Sequence, residues 1–157
     1  PKDDPTDLQR KATLAEGARR FAEAAAKNSG SAAVYGWLKA AEAHERAQEP
    51  AEAKAAVESA MKVGAGGMAG FVADSAWVGV LVGDKRNDEA LALLRTMSDK
   101  NSDLLAEESL LRLAELQLSL DKKTEAKATL EELNKRFPTP SRAEEVASLA
   151  ARIGSSG

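Results

Sequence analysis

One short pattern recurs three times in this chain at nearly constant spacing, and it restricts the fold more than any other feature. Glu52-Ala53 is followed by Val57 and Ala60, Glu89-Ala90 by Leu94 and Met97, and Glu125-Ala126 by Leu130 and Leu133. The aligned alanines stand 37 and then 36 residues apart, and twelve positions before each comes a small or aliphatic residue: Ala41, Val78 and Ala114. Within each unit the apolar residues fall at helical spacing. A helix–turn–helix of this length cannot bury its apolar face alone. Stacked neighbours bury it, and the small residues let two helices approach closely.

Composition agrees. Hydrophobic residues make up 43% of the 157 but aromatics only 4%, with alanine the commonest type, which favours close-packed helices over strands. Prolines at 1, 5, 50, 138 and 140 leave long stretches free for helices. Thr6 with Gln9 has capping-box spacing, and the stripe Leu8, Ala12, Ala15, Ala18, Ala22 and Ala25 predicts a first helix ending at Asn28-Ser29-Gly30-Ser31. Further helices are predicted over 32–47, 51–62, 68–82, 88–97, 104–120 and 124–136. Ser141 with Glu144 is a second capping box. It opens a last helix to about Arg152 with Val146, Leu149, Ala150 and Ile153 on its apolar side. The 68–82 helix has almost no polar face, which predicts burial on several sides.

The three units resemble the tetratricopeptide repeat family. The third carries the pattern best, in Leu110, Leu113, Ala114, Ala126, Leu130, Leu133 and Pro138. In the first, Trp37 takes the family's tryptophan place, Ala41 and Ala53 form the small pair, and His44 stands where tyrosine is usual. The second is degenerate, with Asp74 at the tryptophan place and an extra residue expected in its inner turn. The resemblance implies an all-α, right-handed α-α solenoid forming a single domain, 1–157. Its repeats would span about 34–67, 71–103 and 104–138, with an N-terminal helix and a capping helix at 141–153. Lys135-Arg136-Phe137-Pro138 followed by Ser141 and Ala143-Glu144-Glu145 further resembles repeat ends of bacterial cell-envelope members, implying the periplasmic side of the envelope, with the cytoplasm as the alternative.

Several function classes drop away. With no cysteine, disulfide frameworks and thiolate chemistry are excluded, and the single histidine, His44, leaves little for acid–base dyads or zinc. No catalytic residue, cofactor, metal or small-molecule substrate is expected. His44 reads as packing between helices, with Glu42 and Glu45 its nearest acidic neighbours in sequence. Basic and acidic residues, 22 and 25, are interspersed, giving no electrostatic case for nucleic acid. Gly64-Ala65-Gly66-Gly67-Met68-Ala69 spells a dinucleotide fingerprint, but it follows a helix rather than a strand and reads as a loop between repeats. The carboxylate pairs Glu107-Glu108, Glu131-Glu132 and Glu144-Glu145 read as solvated faces. Pro1 in place of methionine marks a trimmed chain, so membrane contact would come only through an unseen upstream anchor or a partner. Gly154-Ser155-Ser156-Gly157 reads as a flexible end.

Non-catalytic binding of a protein or peptide partner is what remains, as an adaptor or assembly factor in a bacterial multiprotein complex. The resemblance implies a concave surface lined by the first helix of each pair. Here that surface comprises Tyr35, Leu38, Glu42 and Glu45, then Val72, Ser75, Gly79 and Val82, then Glu108, Leu111, Glu115 and Leu118. An apolar floor with an acidic rim suits an amphipathic or basic segment. Of the family's basic clamp for a partner's terminal carboxylate only Arg112 carries charge, while Leu38, Glu42 and Ala76 do not fit. The alternatives are a permanent structural subunit, a scaffold self-assembling through the Phe71–Val82 helix, or the leucines and valines serving only as core.

Overall fold

The structure, a computed structural model, describes residues 4–155, with only the backbone of Asp103 and Ser155; Pro1, Ser156 and Gly157 lie outside the described residues. The helices are α1 (Pro5–Ala26), α2 (Gly30–Arg46), α3 (Pro50–Lys62), α4 (Gly67–Gly83), α5 (Asn87–Lys100), α6 (Asp103–Ser119), α7 (Lys123–Arg136) and α8 (Ala143–Ser155). Among the described residues there is no strand. The class is all-α, with neighbouring helices packed in chain order as in an α-α solenoid.

Both expected capping boxes are corrected. Asp4 caps α1, its carboxylate accepting from the Thr6 amide at 3.0 Å, because Pro5 takes the first helical position and puts Thr6 inside the helix. Ser141 lies ahead of α8 and is engaged by α6 instead. Gly154 and Ser155, expected in a flexible end, continue α8.

The internal turns of the three pairs are alike in detail. Each first helix ends on a residue in the left-handed region: Gln48 (φ 63°), Lys85 (φ 61°) and Asp121 (φ 60°). The amide after it reaches back to a carbonyl five residues earlier: Glu49 to His44 at 2.9 Å, Arg86 to Leu81 at 2.8 Å and Lys122 to Gln117 at 2.9 Å. These are Schellman caps, which satisfy carbonyls that the helix end leaves open. The carbonyls of Glu49, Arg86 and Lys122 then accept from Ala53, Ala90 and Ala126 to start the second helices. The second unit's expected extra turn residue is therefore absent. Val78 and Ala90 stand twelve apart as in the other units, and the added residue of the 37-residue interval lies between Ala53 and Val78.

The chain divides into two compact units, Pro1–Val80 and Leu81–Gly157. In the first, α1 packs on α2 and α2 on α3 through alanines, including Ala15, Ala18, Ala25, Ala40, Ala41, Ala53 and Ala56. Contact is close enough that a β-carbon at Gly36 would stand 2.8 Å from the Ala25 Cβ and 3.2 Å from its Cα. Only glycine fits there. Val34, Ala60, Ala69 and Ala73 form a second cluster with Trp37 and Leu38 against it. The glycine segment between α3 and α4 is a loop in which Gly64 (φ 66°) and Gly67 (φ 61°) hold left-handed conformations that side chains avoid.

The second unit is packed with larger side chains. Leu110, Leu111, Ala114, Leu130, Leu133, Val146 and Leu149 form one buried cluster from α6, α7 and α8, flanked by Leu118, Phe137 and Ile153. In α4, Ala69, Ala73, Asp74, Trp77, Val78 and Leu81 are buried, but Met68, Gly79 and Val82 lie exposed on one helical face. The all-round burial expected of that helix is thus partial.

Candidate protein-interaction site

On α2 the expected residues are Tyr35, Leu38, Glu42 and Glu45. They recur at intervals of three, four and three, which keeps them on one side of a helix. Tyr35 is 47% exposed, Glu42 and Glu45 are exposed, and Leu38 is half-buried against the Val34 cluster. Lys39 donates to Glu42 at 2.7 Å, and this hydrogen bond, with the positive charge behind it, holds the Glu42 carboxyl below its usual range. The result is an exposed aromatic ring over an aliphatic base, beside two carboxylates.

The face expected on α6 is different. Leu111 is 1% exposed and belongs to the core of the second unit, so it is not a groove residue. Leu118 is half-buried against the same core, and Glu115 is half-buried. The physical reason is α8, which returns over α6 and α7 and covers what an array without it would leave open. Glu108 meets the Arg142 guanidinium just before α8, and Arg142 also donates from Nε to Glu145 at 2.8 Å. These two carboxylates raise the Arg142 pKa further above its already high ordinary value. In α4, Val72 and Ser75 are half-buried and Val82 is exposed.

The Glu107-Glu108 pair is not a solvated face. Glu107 is 4% exposed, and one carboxylate oxygen accepts from the Ser141 amide at 2.8 Å, the Ser141 hydroxyl at 2.7 Å and the Arg142 amide at 3.4 Å. It fixes the segment that leads into α8. The sequence signal was only the distance of 34 residues to Ser141, which a row of similar glutamates conceals.

His44 is buried, and its Nδ1 lies 2.7 Å from a Glu49 carboxylate oxygen, across the cap that joins α2 to α3. Its acidic partner is therefore Glu49 rather than Glu42 or Glu45. Among the described residues, no group of three or more His, Asp or Glu side chains could hold a metal ion, and no helix is long and apolar enough to cross a membrane.

One repeated cap joins α2 to α3, α4 to α5 and α6 to α7, the local plan of a helical-repeat protein. The family model of the tetratricopeptide repeat matches residues 81–153, which is nearly all of the second compact unit, so that stretch is similar to tetratricopeptide repeats. No curated protein and no solved structure matches the chain. Tetratricopeptide repeats generally mediate protein–protein interaction and are typically non-catalytic.

Proposed function

We propose that this chain is an adaptor or assembly factor that holds a segment of a protein partner on the α2 face, without cofactor or chemistry. The observation that carries this reading is Tyr35. A large aromatic ring 47% open to solvent, in line with Leu38, Glu42 and Glu45, is costly to leave uncovered and suits an interface anchor. The neighbouring carboxylates favour a basic or amphipathic segment. The repeat-end resemblance at 135–145 supports a bacterial complex on the periplasmic side of the envelope, which fractionation of the native cells tests.

The decisive experiment is crosslinking and affinity capture from the native source with the wild-type chain and with Tyr35→Ala and Glu45→Lys. Both positions are exposed, so the melting curve is expected to stay unchanged while one recurring partner is lost. Equal capture by all three chains would refute the α2 face.

A further inference from the structure

The outer side of α2 is divided lengthwise by charge. Lys39 and Arg46 stand seven residues apart and so share one edge of the helix, where both line a groove with Leu14 and Phe21 of α1. Leu38 and Glu45, also seven apart, share the other edge. Leu38 packs against the cluster that holds Ala69 and Ala73, so that edge faces α4 and is bounded by helices of the first unit itself. Tyr35 and Glu42 run between the two edges.

The two carboxylates on this side are not equivalent. Glu42 is paired with Lys39 at 2.7 Å, and Arg46 sets a second positive charge near it. Its charge is offset within the chain. Glu45 is exposed, and among the described residues its carboxylate has no hydrogen-bond or ion-pair partner. It stands in the last turn of α2, where the negative end of the helix adds to its attraction for a cation.

We infer that Glu45 sets the charge preference of this face: the occupant is a peptide segment with an apolar side chain over Tyr35 and Leu38 and a lysine or arginine against Glu45. This rests on the α2 face being the binding surface and adds the residue that selects the partner. Tyr35 and Glu45 are ten residues apart, about 15 Å along a helix axis. An extended segment covers that distance in about four or five residues, which fixes the spacing of its apolar and basic side chains. Lys39 and Arg46 repel the same cation from the α1 edge, so the segment runs on the side toward α4.

Selection of phage-displayed peptides on the immobilised 157-residue chain tests this, with Tyr35→Ala, Glu45→Lys and the double variant Lys39→Gln with Glu42→Gln as parallel baits. All four positions are exposed, and circular dichroism checks that each variant stays folded. Enrichment of lysine or arginine four or five positions from an apolar residue is expected on the wild-type chain. Glu45→Lys is expected to weaken these peptides about tenfold or more and to turn its own selection toward aspartate and glutamate. The double variant removes a neutral pair and is expected to change affinity by less than about twofold. Peptides that depend on Tyr35 but are uncharged or acidic, or that bind Glu45→Lys as well as the wild type, would overturn the inference and leave the α2 face standing. Equal losses in Glu45→Lys and the double variant would overturn the distinction between the two carboxylates. A selection in which nothing depends on Tyr35, an empty one included, would overturn the α2 face and the inference with it.

Discussion

The two compact units apply the same helix-pair plan to different side chains. Among the described residues, nearly all the large, fully buried side chains, among them Leu94, Met97, Leu110, Leu113, Leu133 and Leu149, belong to the second unit, with Val34 from the first. The first reaches its packing by bringing backbones together over alanines and Gly36; the second fills the gap between helices with leucine. An interior built by close approach has no room for added atoms, and one built by filling suffers when atoms are removed. The family match follows the same division. It covers 81–153, where the large pattern residues stand, although the cap that ends α2 is the same as the caps that end α4 and α6.

The largest expected effect tests the reassignment of Leu111. Leu111→Lys places a charge without a partner in the α6–α8 core and is expected to cost about 4 kcal/mol or more, which unfolds the second unit. Loss of helical signal and of its melting transition would show this. A folded Leu111→Lys chain would return that residue to a surface.

Next come two substitutions of opposite sense. Leu133→Ala in the second unit removes packed atoms and is expected to cost about 2–5 kcal/mol. Gly36→Leu in the first adds atoms against the α1 backbone at Ala25 and is expected to cost about 1–3 kcal/mol. Denaturant melts of both variants sharpen the contrast between units. If Gly36→Leu were neutral, α1 would not sit as close to α2 as the structure places it.

Glu107→Ala is smaller. It strips the acceptor from Ser141 and the Arg142 amide, at about 1–3 kcal/mol, and frees α8 in particular. Amide exchange at Val146 and Leu149 is expected to quicken well before exchange at Leu94.

The helix count, the pairing and most boundaries were legible from the 37- and 36-residue spacing, because the small residues that set it also set the close contacts. The caps were hidden. Gln48, Lys85 and Asp121 hold left-handed conformations without the glycine that usually announces them, and each bears a local cost of about 1 kcal/mol. In the candidate site, exposure was easier to read than burial. Tyr35, Glu42 and Glu45 were named through the family resemblance and are exposed, but the same resemblance named Leu111, and only the return of α8 decides that it is core. Glu107 looked like its neighbours because its partner Ser141 is remote in sequence.

The smallest expected effect follows from those caps. Gln48→Gly or Asp121→Gly relieves the left-handed side chain and is expected to stabilise its own unit by about 0.5 kcal/mol, a gain read as a raised melting midpoint.

The alanine-rich unit and the leucine-rich unit are built on one repeated cap. Residue-resolved NMR of the wild-type chain tests it most directly, through the backbone couplings and shifts at Gln48, Lys85 and Asp121 and the exchange of the amides at Glu49, Arg86 and Lys122. Positive φ is expected at all three cap residues, with all three following amides protected. A Gln48 in the helical or extended region, with an unprotected Glu49 amide, would contradict it and confine the repeat to the second unit.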